Sequence, residues 1–316
     1  MAQKICIIGC GSIGSLYAAH LSRIAEVYAF VRREEHACAL NEKGLRVSGT
    51  HEFTASLRAT TKPAEIPDCD LGIVCCKATQ TAEALSPVAD KFRNGAVLSA
   101  QNGLGCEEII ADVTKSRVIR GTTFMSGTRH SDTHVQYELD TETWMGPFEP
   151  TGTPFAMVKR AADWIIASGL KAVALEDAKP AQWSKVIFNA SVNSVSALTE
   201  LPHCWSFAQE DKFEDLGHLL HALIEEGKQV AKGLGVTLHD DPWEMNKIGA
   251  RTDHPPSMLY DVQHHQRTEV DFLCGAIARE AAQAGIPAPL NTALYRLIKG
   301  KEASWARPAA RHESKS

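Results

Sequence analysis

Lys185, Asn189 and Asn193 recur every four residues after Trp183. On a helix this spacing puts all three polar side chains on one face. A lysine, protonated at neutral pH with an ordinary pKa of about 10.4, can deliver a proton to a carbonyl oxygen as a hydride reaches its carbon, and can stabilise the oxyanion that develops. The bland alternative is a solvated helical stripe. Val186, Ile187, Phe188 and Val192 lie between the polar positions and weigh against it, because they make the helix apolar elsewhere, as a buried helix lining a cleft would be.

A source of hydride is written at the other end of the chain. Ile5-Cys6-Ile7-Ile8 runs into Gly9-Cys10-Gly11-Ser12-Ile13-Gly14, a GxGxxG turn between an apolar strand and a helix. The first glycine makes the tight turn and the second lets backbone approach a pyrophosphate. The third lets helix and strand pack closely, while the helix N-terminus faces the negative charge. Alone the pattern is common and could be a structural turn; its place between that strand and that helix makes it a dinucleotide site. The second strand ends Phe30-Val31-Arg32-Arg33, where an NAD site would carry an acid for the ribose 2′-hydroxyl. A guanidinium fork matches a phosphate instead, so NADP(H) is the expected cofactor, against the alternative of two solvated arginines at a helix start. Lys77 and Asn102-Gly103-Leu104-Gly105 each follow a further strand, where such a sheet presents its ends to the cofactor.

The elements that must position these residues alternate through the first half. Ile5 to Ile8, Val27 to Val31, Leu71 to Cys75 and Ala96 to Ser99 read as strands; Gly14 to Ile24, Arg33 to Glu42 and Ala78 to Val88 read as helices. That order implies parallel βαβ units wound on both faces of one sheet. Arg117 to Gly121, Val135 to Leu139 and Glu142 to Met145 look like further strands, the last two as a hairpin near the sheet edge. Ala156 to Ala167 and Ala172 to Leu175 add one more α-β pass. From Asp177 onward long helix-period stretches take over, such as Phe213 to Leu234 and Met258 to Ala284. The expected fold is therefore an α/β Rossmann-type doubly wound sheet over residues 1–176, followed by an all-α C-terminal domain over 177–316. The tail after Pro308 is polar and aperiodic and reads as frayed.

Composition narrows the class. At 316 residues, 44% hydrophobic and 22% charged, two globular domains are expected. No run approaches the roughly 20 apolar residues of a membrane span, and the four-residue run Ile5 to Ile8 is too short for a signal-peptide core. The formal charge of −5, without a basic block, speaks against nucleic acid. Nine cysteines without a CxxC pair read as buried thiols of a reducing compartment, which places the protein in the cytoplasm. His264-His265 and His239-Asp240-Asp241 could be written as metal ligands, but no HExxH helical pair accompanies them, so no metal is expected.

Taken in order, the GCGxxG turn, the arginine closing the second strand, Cys76-Lys77-Ala78, Gln101-Asn102-Gly103, Trp183-Ser184-Lys185 with its asparagines, and Ser257-Met258-Leu259 leading to Arg267-Thr268-Glu269-Val270-Asp271 resemble the ketopantoate reductase (2-dehydropantoate 2-reductase) family, over nearly the whole chain. The resemblance implies an active site between a Rossmann domain and a helical domain. It implies that Gly9 through Gly14 hold the pyrophosphate, Arg32 the 2′-phosphate, and Lys77 and Asn102 the ribose and nicotinamide side, with Asn102 also near substrate. A turn at Gly127 would pass close to the nicotinamide. Lys185 would be the general acid, Asn189 and Asn193 would hydrogen-bond the substrate, Ser257 would bind its carboxylate, and Glu269 would sit beside the lysine and cofactor. Without the resemblance, Ser257 is an N-cap and Glu269 one exposed acid among several.

The chain also departs from the family. Classical members tend to read Asn-Pro-Leu-Thr-Ala where this one has Asn193-Ser194-Val195-Ser196-Ala197, and it carries His203-Cys204-Trp205 where a small or amide residue is usual. A bulky segment there would reshape the wall around the substrate side chain. The expected reaction is NADPH-dependent reduction of ketopantoate to (R)-pantoate for pantothenate and coenzyme A synthesis. Two alternatives stand beside it: a paralogous reductase or opine-type dehydrogenase of another 2-oxo acid or imine, and a non-catalytic NADP(H) sensor, which would have no need of a proton donor. The expected partner is a small 2-oxo acid, with no nucleic acid and no membrane; a homodimer stays open.

Overall fold

In the first strand, β1 (Lys4–Ile8), residues 5 to 8 are fully buried. Ile5 and Ile7 enter one apolar cluster and Cys6 and Ile8 another. A strand wrapped on both faces is what a sheet covered by helices on each side requires, and it explains why the sequence there is a continuous apolar run and not an alternation. The computed structural model describes residues 3–208, 215–251 and 255–306. They form two compact units, Met1–Gln182 and Trp183–Ser316.

In the first unit β1 is followed by α1 (Ser12–Leu21), β2 (Glu26–Phe30), α2 (Glu34–Lys43), three short strands β3 (Leu45–Gly49), β4 (Phe53–Ala55) and β5 (Arg58–Thr60), then β6 (Leu71–Val74) and α3 (Thr81–Leu85). The chain continues through β7 (Ala96–Ser99), α4 (Cys106–Thr114), β8 (Arg117–Thr123), β9 (Ser126–Ser131), β10 (His134–Leu139), β11 (Thr143–Pro147), α5 (Phe155–Ala167) and β12 (Ala172–Ala174). The main sheet runs β12-β11-β8-β7-β6-β1-β2-β5. From β5 to β8 all pairings are parallel, and their sequence order is the 3-2-1-4-5-6 of a Rossmann sheet; β11 then joins β8 antiparallel.

Three expectations for this unit need correction. Val135–Leu139 and Glu142–Met145 do not form a hairpin: β10 pairs with β9 and β3 in a separate four-stranded sheet, β4-β3-β10-β9, while β11 pairs with β8 and β12 in the main one. The helix expected over Ala78–Val88 is reduced to α3 between two 3-10 segments, Ala78–Gln80 and Ser86–Phe92, because Pro87 cannot donate the hydrogen bond that would carry the helix on. Of the cysteines expected to be buried, Cys38 is exposed on α2, and Cys75, Cys76 and, in the second unit, Cys204 are half-buried; none of the nine is in a disulfide. The second sheet packs over α1, where fully buried His20 donates through Nδ1 to the Leu16 carbonyl (2.9 Å) and shares a hydrogen bond between Nε2 and His51 Nδ1 (2.8 Å).

The helix α6 (Lys179–Thr199) carries the chain from one unit into the other. The units divide between Gln182 and Trp183, a little beyond the expected 176/177, because the side chain of Gln182 in the first turn bonds to first-unit residues Gly103, Glu107 and Arg120. The second unit continues with α7 (Asp215–Gly233), α8 (Pro242–Gly249), α9 (Ser257–Gln263), α10 (Cys274–Gln283) and α11 (Pro289–Ser304), with no strand among its described residues. Phe213, expected to open α7, and the tail after Pro308 lie outside the described residues. Helix starts are capped both locally and from a distance. Asp241 accepts from the amides of Trp243 and Glu244 to open α8, and buried Glu226 of α7 accepts from the amides of Leu290 and Asn291 to open α11.

The single helix expected over Met258–Ala284 is broken into α9, a 3-10 turn Val270–Phe272 and α10. His265 takes a left-handed φ of 51°, which ends α9, and Glu302 of α11 draws the chain aside by accepting from the Thr268 amide (2.8 Å) and hydroxyl (2.6 Å). That break decides where Glu269 sits.

Candidate active site

The carboxyl ends of β2, β1, β6 and β7 lie side by side in the main sheet, and Arg32, Gly9, Lys77 and Asn102 each follow one of them. β1 and β6 are the strands from which the connections leave in opposite directions, the switch point at which open α/β sheets bind ligands. The glycines fit a pyrophosphate turn by geometry. Gly9 has φ +91°, and a Cβ there would stand 2.9 Å from the Cys76 amide nitrogen. A Cβ on Gly14 would meet the Gly9 carbonyl oxygen at 2.0 Å, so only glycine lets α1 pack this closely on the loop. Gly11, by contrast, is exposed with open space beyond it. It stands at the N-cap of α1, whose first turn has no acidic residue and no side-chain cap. Amides left unpartnered at a helix start attract an anion. Cys10 is buried and its carbonyl accepts from the Ser15 hydroxyl at 3.4 Å, while Ser12 and Ile13 form the opening of the helix.

The two arginines after β2 have different surroundings. Arg33 pairs with Asp132, which also holds Arg129 at 2.8 Å. Arg32 is exposed and makes no ion pair among the described residues, so its guanidinium is open to a ligand. Lys77 is half-buried at the start of the 3-10 turn after β6. Asn102 is half-buried, and its side chain makes no hydrogen bond among the described residues. Gly127 is not in a turn: it lies within β9 of the second sheet, where a Cβ would meet the Gln136 carbonyl at 2.6 Å and Leu16 of α1 at 3.2 Å. Packing alone accounts for that glycine.

In the second unit the polar stripe on α6 is not solvated: Asn189 and Asn193 are 8% and 5% exposed. Burial pushes the Lys185 ammonium down from its usual 10.5 to about 8, against an opposing pull from the Glu269 carboxylate. Glu269 is 9% exposed and so is no surface acid; it opens the 3-10 turn at Val270 just after the residue that Glu302 holds. Asn193 and Ser257 also meet. The Asn193 Oδ1 accepts from the Ser257 hydroxyl and the Met258 amide, both at 3.2 Å, which starts α9 from a neighbouring helix. Ser257 is therefore the first residue of α9 and not its N-cap, which is Pro256. Asn189 makes no side-chain hydrogen bond among the described residues, so its amide is available to a ligand.

The departing segment splits. Buried His203 bonds through Nε2 to Asn246 Oδ1 (2.9 Å), its ring 5.7 Å from Phe188 of α6 and 5.8 Å from Phe207, whereas Trp205 is half exposed. Among the described residues no group of three or more His, Cys, Asp or Glu side chains is placed to hold a metal ion, and no helix is long and apolar enough to cross a membrane. The reading of the sequence missed Gln182, whose amide bonds to the Gly103 carbonyl beside Asn102. Nothing in its immediate neighbours marks it.

Residues 5–150 match the family described as Ketopantoate reductase PanE/ApbA, and residues 177–302 match Ketopantoate reductase PanE/ApbA C terminal. A 2-dehydropantoate 2-reductase of Archaeoglobus fulgidus is 30% identical over 309 residues, 95% of this chain and 98% of that protein. Among solved structures, a PanE/ApbA family ketopantoate reductase from Ralstonia eutropha JMP134 gives a TM-score of 0.85 at 25% identity, over 96% of this chain and 100% of that one. D-mandelate dehydrogenase, solved with NADH and anilino(oxo)acetate, gives 0.85 at 23% identity, over 96% and 99%, and shares the fold.

Proposed function

Because the chain belongs to the ketopantoate reductase family of pyridine-nucleotide-dependent oxidoreductases, we propose that it reduces the 2-oxo group of 2-dehydropantoate with NADPH to give (R)-pantoate, the hydroxy acid used for pantothenate and coenzyme A. The observation that carries this reading is a buried lysine with a carboxylate in electrostatic range, on the helix where the polar stripe lies. At a pKa of about 8 Lys185 is still mostly protonated at neutral pH, and it gives its proton up more readily than a solvated lysine would.

Residues Gly9 to Gly14 receive the pyrophosphate, Arg32 takes the 2′-phosphate, and Lys77 and Asn102 hold the ribose and nicotinamide side. The bound dihydronicotinamide supplies the hydride. Asn189, Asn193 and Ser257 hold the oxo acid, Ser257 at its carboxylate. Lys185 passes one proton to the C2 oxygen while C2 gains the hydride, so the ketone becomes an alcohol and the lysine is left neutral, to be recharged from water. Glu269 keeps the lysine charged before that step. Gly127 is left out, since its packing explains it.

One observation favours a wider choice of substrate. His203, whose ring lies between Phe188 of α6 and Phe207, is bulkier than the small or amide residue usual in the family, and would suit another 2-oxo acid. NADPH oxidation followed with ketopantoate and with a panel of 2-oxo acids, with and without amines, separates the readings by specificity constant. The highest value is expected for ketopantoate. A higher one for another oxo acid or an imine would replace the substrate, and cofactor binding without oxidation of any would leave a sensor.

A further inference from the structure

Three polar side chains that the proposed chemistry does not use are buried together in the first unit: Glu107 of α4 at 1% exposed, Arg120 of β8 at 8%, and Gln182 of α6 at 3%. The Gln182 amide joins them. Its Nε2 donates to Glu107 Oε1 (2.9 Å) and to the Gly103 carbonyl (3.1 Å), and its Oε1 accepts from Arg120 Nη1 (2.6 Å). Arg120 in turn lies over the Phe148 ring and faces Glu149 at 3.5 Å. Turning the amide over would set its NH2 against a guanidinium, so Arg120, which can only donate, fixes one orientation.

That orientation reaches the turn carrying Asn102. Gly103 stands at φ +101°, a conformation L side chains rarely adopt, so the turn is built from permissive backbone that needs to be held. It is held on both flanks. On one side the Gln101 Nε2 donates to the Cys76 carbonyl and the Thr81 hydroxyl, both at 2.8 Å, tying the turn to the residue before Lys77. On the other side Gln182 takes the Gly103 carbonyl. Between them the Asn102 side chain makes no hydrogen bond among the described residues. Helix α6 runs on from Gln182 through Lys185.

We infer that Gln182, locked by Glu107 and Arg120, is a positioning residue that sets the Asn102 turn for the cofactor. A buried polar trio is costly, the more so with the Arg120 Nε left unpartnered, and a chain that needed only packing would be served as well by apolar residues. The carboxyl of Glu107, pushed up to about 7 by burial against the pull of Arg120, is consistent with that cost being carried here. The inference rests on the reading of Asn102 as a cofactor contact.

The test is a double-mutant cycle on NADPH affinity in the full chain, with thermal midpoint measured alongside. Gln182→Met keeps the volume and removes all three hydrogen bonds; about a tenfold weaker NADPH Kd is expected, the worth of a well-placed hydrogen bond. Combined with Asn102→Ala, it should weaken binding no further than Asn102→Ala alone, since Gln182 acts through that turn. A second variant guards against loss of fold: Glu107→Gln with Gln182→Glu keeps the composition of the trio and sets a carboxylate against Arg120 but leaves the Gly103 carbonyl without its donor. It should return the thermal midpoint toward the parent and leave the Kd weakened. Parental affinity in Gln182→Met or in the exchanged pair, or losses that add to that of Asn102→Ala, would overturn the inference. If Asn102→Ala itself binds NADPH as the parent does, the reading of Asn102 falls and takes the inference with it.

Discussion

Glu269→Gln isolates the electrostatic half of the Lys185 environment. Burial lowers the lysine to about 8 and the Glu269 carboxylate opposes that fall, so removing the carboxylate's charge must lower it further. At an effective dielectric of about 20, a nearby carboxylate contributes on the order of 1–2 kcal/mol to an ammonium, which moves its pKa by roughly one. Oxo-acid reduction needs the protonated amine, so the rate falls as pH rises through the lysine pKa. With a limb near 8 in the parent and near about 7 in the variant, the protonated fractions differ by almost nothing at about pH 6, by about twofold at pH 7 and by about eightfold at pH 8.5. The assay is kcat/KM for the oxo acid at saturating NADPH across that range, with Glu269→Asp as a charge-preserving control. A loss of the same size at every pH, or a limb that moves upward, would refute the assignment of Glu269 as the charge partner of the lysine.

Two further outcomes follow from the same geometry. Arg32→Ala should weaken NADPH by about tenfold to a hundredfold, the worth of a charge-assisted hydrogen bond, and barely change NADH; equal losses for both would undo the phosphate assignment. Lys185→Met should slow reduction by about 10²- to 10⁴-fold yet stabilise the fold by on the order of 1–3 kcal/mol near pH 7, because the lysine, lowered from 10.5 to about 8, is charged there in both folded and unfolded chains and only the folded one pays for burying it. Between about 8 and 10.5 the folded protein sheds that proton first, so the parent gains stability as pH rises and the advantage of Lys185→Met shrinks; denaturant midpoints at neutral and alkaline pH measure this, and a variant less stable than the parent near pH 7 would contradict it.

Strands β1, β2, β6 and β7 were legible because each is a largely apolar run buried on both faces, and the glycine turn because Gly9 and Gly14 pack where a side chain would clash. The second sheet was not. β9 reads Ser126-Gly127-Thr128-Arg129-His130-Ser131, polar and largely exposed, without the alternation that marks a half-buried strand. The break after α9 depends on Glu302, far along the chain, so no local signal ends the helix at His265. The same limit applies to the site. Spacing on α6 revealed Lys185, Asn189 and Asn193, but the burial of Glu269 and the meeting of Asn193 with Ser257 arise from tertiary packing. Arg32 and Arg33 are equivalent as sequence; Asp132, on a distant turn, is what distinguishes them. Gln182 is visible only through three partners separated from it by 62 to 79 positions.

The ammonium of residue 185 is where the account is most exposed. Turnover of ketopantoate by Lys185→Ala at saturating NADPH, with NADPH affinity measured on the same sample, tests it directly. The expected result is a kcat lower by about 10²- to 10⁴-fold with cofactor affinity retained, the contribution of a positioned proton donor. Turnover close to that of the parent would mean that the proton comes from elsewhere.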